Sequence, residues 1–286
     1  MWEIHLNKTD RLDRVLRGIV MPGAEWMSRQ AWEYLISKGF IRVDGRIVAK
    51  AGEGISAGAL IQVRLPEREI GLLAAKMEAQ LVWMSSDRSW AVFSKNPLVD
   101  SYPLYPWDFS AFANQVVRYL EIHGPISMKE FASLAQAPVL EGGTVQRLDR
   151  ATSGLIAVAF NAETKRLLRE LFSSGAIEKG YQAIVHGDAR GAEGPHQLRM
   201  WAPKGGHTRV GGAQGENVDL RVRVLRANDR ASLVEVLTNR GIRHVVRAAL
   251  GSLGIPILGD STYGSGEGAP FHQLHANRLS LIQADQ

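Results

Sequence analysis

The sequence predicts an α+β protein with a mixed, largely antiparallel central sheet flanked by helices, and a small α/β module in front of it. Three observations lead there. From about residue 81 to residue 276, segments of strand and helix periodicity alternate. Two pairs of strand-like runs stand around polar turns, "QLVWM" with "WAVFSK" and "DLRVRVLRA" with "SLVEVLT". The first 66 residues carry a helix, helix and hairpin pattern of their own.

Residues 1–66 read as one module. Leu12, Val15, Leu16 and Ile19 have helical spacing over 11–19. Ser28 suits the N-cap of a second helix with Trp32, Leu35 and Ile36 on one face and Gly39 as its stop. In "FIRVDGRIVA", Asp44-Gly45 between alternating strands predicts a two-residue hairpin. "ALIQVRLP" supplies a further strand that Pro66 ends. Ten basic and seven acidic side chains leave this module at +3. Residues 67–80 form a charged, helix-prone connector, and residues 81–286 read as the second domain.

Within that domain Ser85–Arg88 is the turn of a hairpin, and Phe112–Ile122 is a helix closed by Gly124. "GLIAVAF" is a buried strand by its continuous apolar run. Asn161 caps a helix carrying Leu167, Leu168, Leu171 and Phe172, which Gly175 stops. "KGYQAIVHG" is a strand, Asn228-Asp229 turns between two more, and "RHVVRAALGSLG" is the last helix.

Composition limits the function classes. Of the 286 residues 45% are hydrophobic and 22% charged, enough for a packed core. The absence of cysteine excludes disulfides, thiol catalysis and zinc–thiolate sites, and points to a reducing cytoplasm. No signal-peptide core opens the chain, and no apolar run approaches a membrane span. The net charge of +5 points weakly to nucleic acid. The arginines of "DLRVRVLRANDR" and "NRGIRHVVR" suit phosphates and bases better than lysines would.

The tetrapeptide "RLDR" occurs twice, at 11–14 and 147–150. Asp13 falls in a helical run four residues before Arg17, the spacing of an ordinary surface ion pair. Asp149 instead lies between Arg147 and Arg150 in "VQRLDRATSGLIAVAF", on a loop of charged and small residues that runs into a buried strand. Such loops place side chains at cleft edges. A positioned carboxylate beside cations is a competent nucleophile or general base. A salt-bridged loop aspartate is the plainer reading, and local sequence alone leaves both open.

Longer stretches narrow the choice. "RLDRVL…SRQAWEYLISKGFIRVDGRIV" resembles the RNA-binding module named after small-subunit ribosomal protein four. That resemblance makes Arg11, Arg14, Arg29 and Lys38 candidate RNA contacts. "RLDRATSGL" followed by an apolar strand resembles the signature of RluA-type pseudouridine synthases. "WAVFSKNP", "IEKGYQAIVHG", "IPILGDSTYG" and "QLHANRLSL" match further blocks of that family in order, over roughly residues 81–282.

The resemblance implies the pseudouridine synthase fold and a cofactor-free isomerisation of uridine in RNA, with ribosomal RNA favoured over transfer RNA. Asp149 is then the nucleophile, on the anomeric carbon or on carbon six of the base. Tyr181 packs against the flipped uracil and helps remove the last proton, and Arg247 pairs with Asp149. Arg147 fills the gap left in the RNA, and Arg150 and His244 are further RNA contacts. Chemistry on a stacked base requires its extrusion, which costs a few kcal/mol. No metal or cofactor is expected. RNA is the expected partner, with no membrane and no obligate protein partner, and the chain is expected to be a monomer.

There are departures. Gln146 stands where the family usually has histidine, and "TNRGIRHVVR" keeps His244 and Arg247 but places Ile242 and Val245 where arginine and glutamine are usual. The competing expectation is therefore a weakened or inactive RNA-binding protein on the same fold. Two others are the sister small-subunit type of synthase and a glycosidase, which would need a second acid near Asp149. "HQLH" at His272–His275 lacks a third ligand nearby, "YGSGEGAP" lacks a strand–loop–helix frame, and Trp107 reads as core before groove.

Overall fold

A computed structural model describes residues 2–19, 27–65, 74–105, 108–134, 140–203 and 206–282. Pro66, the first half of the 67–80 connector and Trp107 lie outside the described residues.

The N-terminal unit contains β1 (Trp2–His5), β2 (Asp10–Arg11), α1 (Leu12–Arg17), α2 (Arg29–Ser37), β3 (Ile41–Val43), β4 (Arg46–Ile47), β5 (Gly54–Ile55) and β6 (Leu60–Val63). Ser28 caps α2 by accepting from the Ala31 amide, satisfying a donor the first turn leaves free. Trp32, Leu35 and Ile36 are buried against Leu12, Leu16, Ile41 and Ile61. Asp44 and Gly45 both take positive φ, 49° and 80°, as a tight hairpin between β3 and β4 requires. The sheet order is β1-β6-β3-β4, and β2 pairs separately with β5.

The rest of the chain forms β7 (Gln80–Met84), β8 (Trp90–Lys95), α3 (Phe112–His123), α4 (Met128–Ser133), β9 (Ser153–Ala159), α5 (Ala162–Ser174), β10 (Ile177–His186), β11 (Gly194–Trp201), β12 (Arg209–Val210), β13 (Glu216–Ala227), β14 (Ala231–Thr238), α6 (Val245–Ser252) and β15 (Leu274–Leu281). The nine strands form one sheet in the order β12-β11-β13-β14-β10-β15-β9-β8-β7. Every neighbouring pair is antiparallel except β15 with β9, which run parallel at its centre. This is the mixed, largely antiparallel α+β architecture expected from the sequence. α6 packs its apolar side chains, Val246, Ala249 and Leu250, into the core shared by β10, β13 and β14. Phe93, Phe112 and Phe131 anchor a second core under β8 and α3.

One local expectation fails. The described part of the connector, 74–79, is not helical. The amides of Ala75 and Ala79 donate to the carbonyls of Asn114 and Gln115 on α3, so a tertiary partner displaces the helical one. α5 carries the four expected side chains: it buries Leu168, packs Leu171 and Phe172 against the core, leaves Leu167 exposed, and also buries the stem of Lys165. Lys165 enters the core because its ammonium donates to Glu141 and to the carbonyl of Gly142. Among the described residues no helix is long and apolar enough to cross a membrane.

Candidate active site

The order β10-β15-β9 at the sheet centre brings distant stretches of chain together. The Thr152 amide donates to the Asp149 carbonyl at 3.0 Å, a turn that hands the chain to β9. Gly154 at the start of β9 has φ +114°, and a Cβ there would lie 2.1 Å from the Ala276 carbonyl oxygen of β15. Only glycine allows these parallel strands to meet at that point. Tyr181 sits on β10 beside an irregularity in its pairing with β15, a feature that re-aims side chains.

Arg247 of α6 donates from Nη1 to Asp149 Oδ2 at 2.9 Å. Its other donors reach Asp260, Nε to Oδ2 at 2.7 Å and Nη2 to Oδ1 at 2.8 Å. Asp260 is buried and also accepts from the amides of Thr262 and Tyr263. Burial works against the charges of Arg247 and Asp260. Their mutual hydrogen bonds outweigh it, raising the pKa of Arg247 and lowering that of Asp260. Tyr263 lies under the guanidinium, its ring 5.4 Å from Arg247 Cζ.

His244 caps α6 with φ 58°, a backbone conformation uncommon outside glycine. Its Nε2 lies 3.5 Å from Asp149 Oδ1, and Nδ1 is 3.1 Å from the Tyr263 hydroxyl. Burial lowers its pKa, with the Asp149 charge opposing. Asp149, Tyr181, His244 and Arg247 line one cavity of about 940 Å³, together with Arg147 and Gln146. Burial, then the negative charge of Asp149, pushes the Tyr181 phenol above its ordinary pKa. Lys179, two residues before it, donates to the Asn239 carbonyl, and burial brings its ammonium down to about 8.

The other predicted residues distribute differently. Arg147 reaches the Tyr102 hydroxyl at 3.3 Å on the cavity wall. Arg150 turns away to the Leu98 carbonyl, with Asp100 at 3.8 Å, and is not among the cavity lining. Arg11, Arg14 and Arg29 are exposed on the N-terminal unit and paired with Asp13, Asp10 and Glu33, and Lys38 stands over the Tyr34 ring. Arg17 bonds Asp13 at 2.9 Å, the surface ion pair its spacing predicted. The two imidazoles of "HQLH" part company: His272 meets Thr152 and His275 meets Ser153.

Gln146 has a structural answer. Its amide acts as a strand in miniature, donating to the Leu155 carbonyl at 3.4 Å and accepting from the Ala157 amide at 3.2 Å. It therefore ties the Asp149 loop to β9. Asp260 carries no role in the sequence reading, although it lies within "IPILGDSTYG". The available signal was an acid directly after an apolar run, which must find a cation if it is buried.

Residues 121–252 match the family model described as RNA pseudouridylate synthase. An uncharacterized RNA pseudouridine synthase of Chloroflexus aurantiacus is 30% identical over 283 residues, 96% of this chain and 80% of that protein. One from Zymomonas mobilis is 35% identical over 148 residues, 50% of this chain and 68% of that protein. The ribosomal large subunit pseudouridine synthase C of Rickettsia conorii is 32% identical over 146 residues, about half of each chain. The solved structure of human RNA pseudouridylate synthase domain containing 1 shares the fold. Its TM-score is 0.55 at 21% identity, covering 76% of this chain and 81% of that one. With the expected sheet in place and relatives matched along nearly its whole length, the chain belongs to the RluA-type family of RNA pseudouridine synthases, isomerases that modify RNA.

Proposed function

We propose that the protein isomerises specific uridines in structured RNA, ribosomal RNA before transfer RNA, with Asp149 as the nucleophile. The observation that carries this reading is the chain of contacts at the cavity. Asp149 has one oxygen held by Arg247, Arg247 is held in turn by buried Asp260, and Tyr181 lines the same cavity. Arg247 compensates the negative charge of a carboxylate that is only 24% exposed, while Oδ1 faces His244 at 3.5 Å. That oxygen attacks the anomeric carbon of a uridine turned into the cavity and displaces uracil at N1, or adds to carbon six of the base, after which the same bond between the anomeric carbon and N1 breaks. The detached base then rotates, carbon five bonds the anomeric carbon, Asp149 is released as carboxylate, and the carbon-five proton is lost while N1 takes one up.

Tyr181 supplies a face for the extruded uracil, recovering part of the unstacking cost, and assists loss of the carbon-five proton. The phenol is protonated at neutral pH, as an ordinary tyrosine is, and burial raises its pKa further, so its first service is stacking. Arg147, on the cavity wall, enters the space the uridine leaves, and His244 and Arg150 contact the RNA around it. The preference for ribosomal RNA draws on the extra N-terminal module and on the Rickettsia relative, which is named a ribosomal large subunit pseudouridine synthase.

The domain organisation belongs to the same proposal. Residues 1–66 act as an RNA-binding module like that of small-subunit ribosomal protein four, 67–80 as a linker, and 81–286 as the catalytic domain. The two helices and the Asp44-Gly45 hairpin support the module, with Arg11, Arg14, Arg29 and Lys38 as its phosphate contacts.

Tritium release from RNA labelled at carbon five of uridine tests the reading. Release from ribosomal RNA transcripts is expected. Asp149→Asn is expected to lower it by ~10³-fold or more while RNA binding stays within about twofold. No release from any RNA of the native host, or equal loss of binding and turnover in the variant, would remove the catalytic assignment.

A further inference from the structure

Between β8 and α3 the chain lies against two different neighbours. On one side it holds the loop that carries Asp149. The buried Ser101 hydroxyl donates to the Leu148 carbonyl at 2.9 Å and accepts the Leu148 amide at 3.0 Å. The Tyr102 hydroxyl accepts from Arg147, and the Leu98 carbonyl accepts from Arg150. The fully buried Lys95 ammonium joins the Val99 carbonyl, at 2.7 Å, to the Arg150 carbonyl, at 3.1 Å. Arg147, Leu148 and Arg150 are thus all gripped from here, and Asp149 between them is left to the cavity.

On the other side the same segment meets the N-terminal unit. The Leu104 carbonyl accepts from the hydroxyl of Ser28, the cap of α2, at 3.0 Å. The Tyr105 ring stacks on Tyr34 of α2, with centroids 4.5 Å apart and planes 27° apart. Tyr105 and Phe109 pack against the N-terminal core. The segment is itself braced. Asp108 accepts from the amides of Leu104 and Ser110, and the Asp100 and Ser101 carbonyls accept from the Phe112 and Ala113 amides at the start of α3.

We infer that residues 98–105 are a strap that ties the N-terminal unit to the Asp149 loop. Ser101 and Tyr102 are positioning residues for Asp149, and Leu104 and Tyr105 are the anchor on α2. A short braced segment with discrete partners at both ends transmits a displacement, because each end holds its neighbour at fixed hydrogen-bond and stacking distances. The grip of the N-terminal unit on RNA therefore reaches the reacting carboxylate. The functional meaning rests on the role proposed for Asp149, whereas the coupling itself does not.

Hydrogen–deuterium exchange on the full chain measures the coupling without a substrate. Ser101→Ala is expected to speed exchange in peptides covering 144–152 by about tenfold or more, the effect of losing the two hydrogen bonds its hydroxyl makes to Leu148. Ser101→Thr, which keeps the hydroxyl, restores slow exchange. Tyr34→Ala, made on α2, is expected to speed the same peptides by about threefold, less than Ser101→Ala because it acts on the loop through the strap. The exposed Arg190→Ala leaves them unchanged. Tyr34→Leu, which fills the site without the stack, gives the same pattern and serves if Tyr34→Ala unfolds. Loosening of residues 27–65 with 144–152 at the wild-type rate would overturn the strap, as would no change in either peptide. In the tritium assay Tyr34→Ala should lower turnover at saturating RNA more than it weakens binding. If no RNA yields tritium, the catalytic role falls while the exchange result stands.

Discussion

At the scale of single residues, the site depends on what stands behind Asp149. Arg247 is 7% and Asp260 1% exposed, so each needs the other to remain charged in the interior. Asp260→Asn leaves the guanidinium with one carboxylate at the cavity and none behind. It should destabilise the fold by about 3–5 kcal/mol, the cost of breaking a buried pair, and lower turnover because Arg247 is free to swing. Thermal unfolding and tritium release check the two effects, and a variant as stable as the parent would show the pair to be dispensable. Sequence reading brought Asp149, Tyr181, Arg147, His244 and Arg247 to one cavity, because they fall in ordered blocks. It left out Asp260, whose partner is 13 residues away around a turn that no local rule predicts. Arg150, proposed above as an RNA contact, also bonds the Leu98 carbonyl 52 residues away, a link not visible in the motif.

At the scale of elements, caps and turns carry the legible information. Ser28 and Asn161 accept the amides their helices leave free, and Gly175 takes the left-handed φ of 82° that ends α5. These are contacts within four residues, so short stretches of sequence encode them. β1 was missed because its partner β6 lies about 60 residues on, and four residues with alternating burial are a weak signal alone. Gly154 belongs to this scale as well. Gly154→Ala meets both a strained φ and the Ala276 carbonyl, so β9 and β15 must separate where the Asp149 loop enters β9. The expected result is a loss of ~2 kcal/mol or more, read as a lower midpoint in denaturant, with turnover falling alongside it.

At the scale of the whole molecule, one nine-stranded sheet carries the cavity at its centre, and the N-terminal unit contributes a second basic surface. Arg14, Arg29 and Lys38 are exposed, and the arginines' surface ion pairs are weak enough to be exchanged for phosphate. If they touch RNA, replacing all three with alanine should weaken binding. The slope of log K against log salt should then fall by about 0.7–0.9 for each phosphate no longer neutralised. Binding measured at several salt concentrations decides this. An unchanged slope would place the RNA elsewhere on the protein.

The sequence by itself determined most of the longer elements, several of their caps and turns, the α+β class and the residues of the family signature. Each of these is written in spacing over fewer than about 20 residues or in blocks read in order. Only the tertiary structure decided which strands meet beyond the three hairpins, that Gln146 serves as a substitute strand edge for β9, and that Asp260 stands behind Arg247. It also decided that one segment touches both α2 and the Asp149 loop. These contacts join residues far apart in the chain, and the free energy that selects them is burial and hydrogen bonding summed over the whole sheet, which no local pattern records.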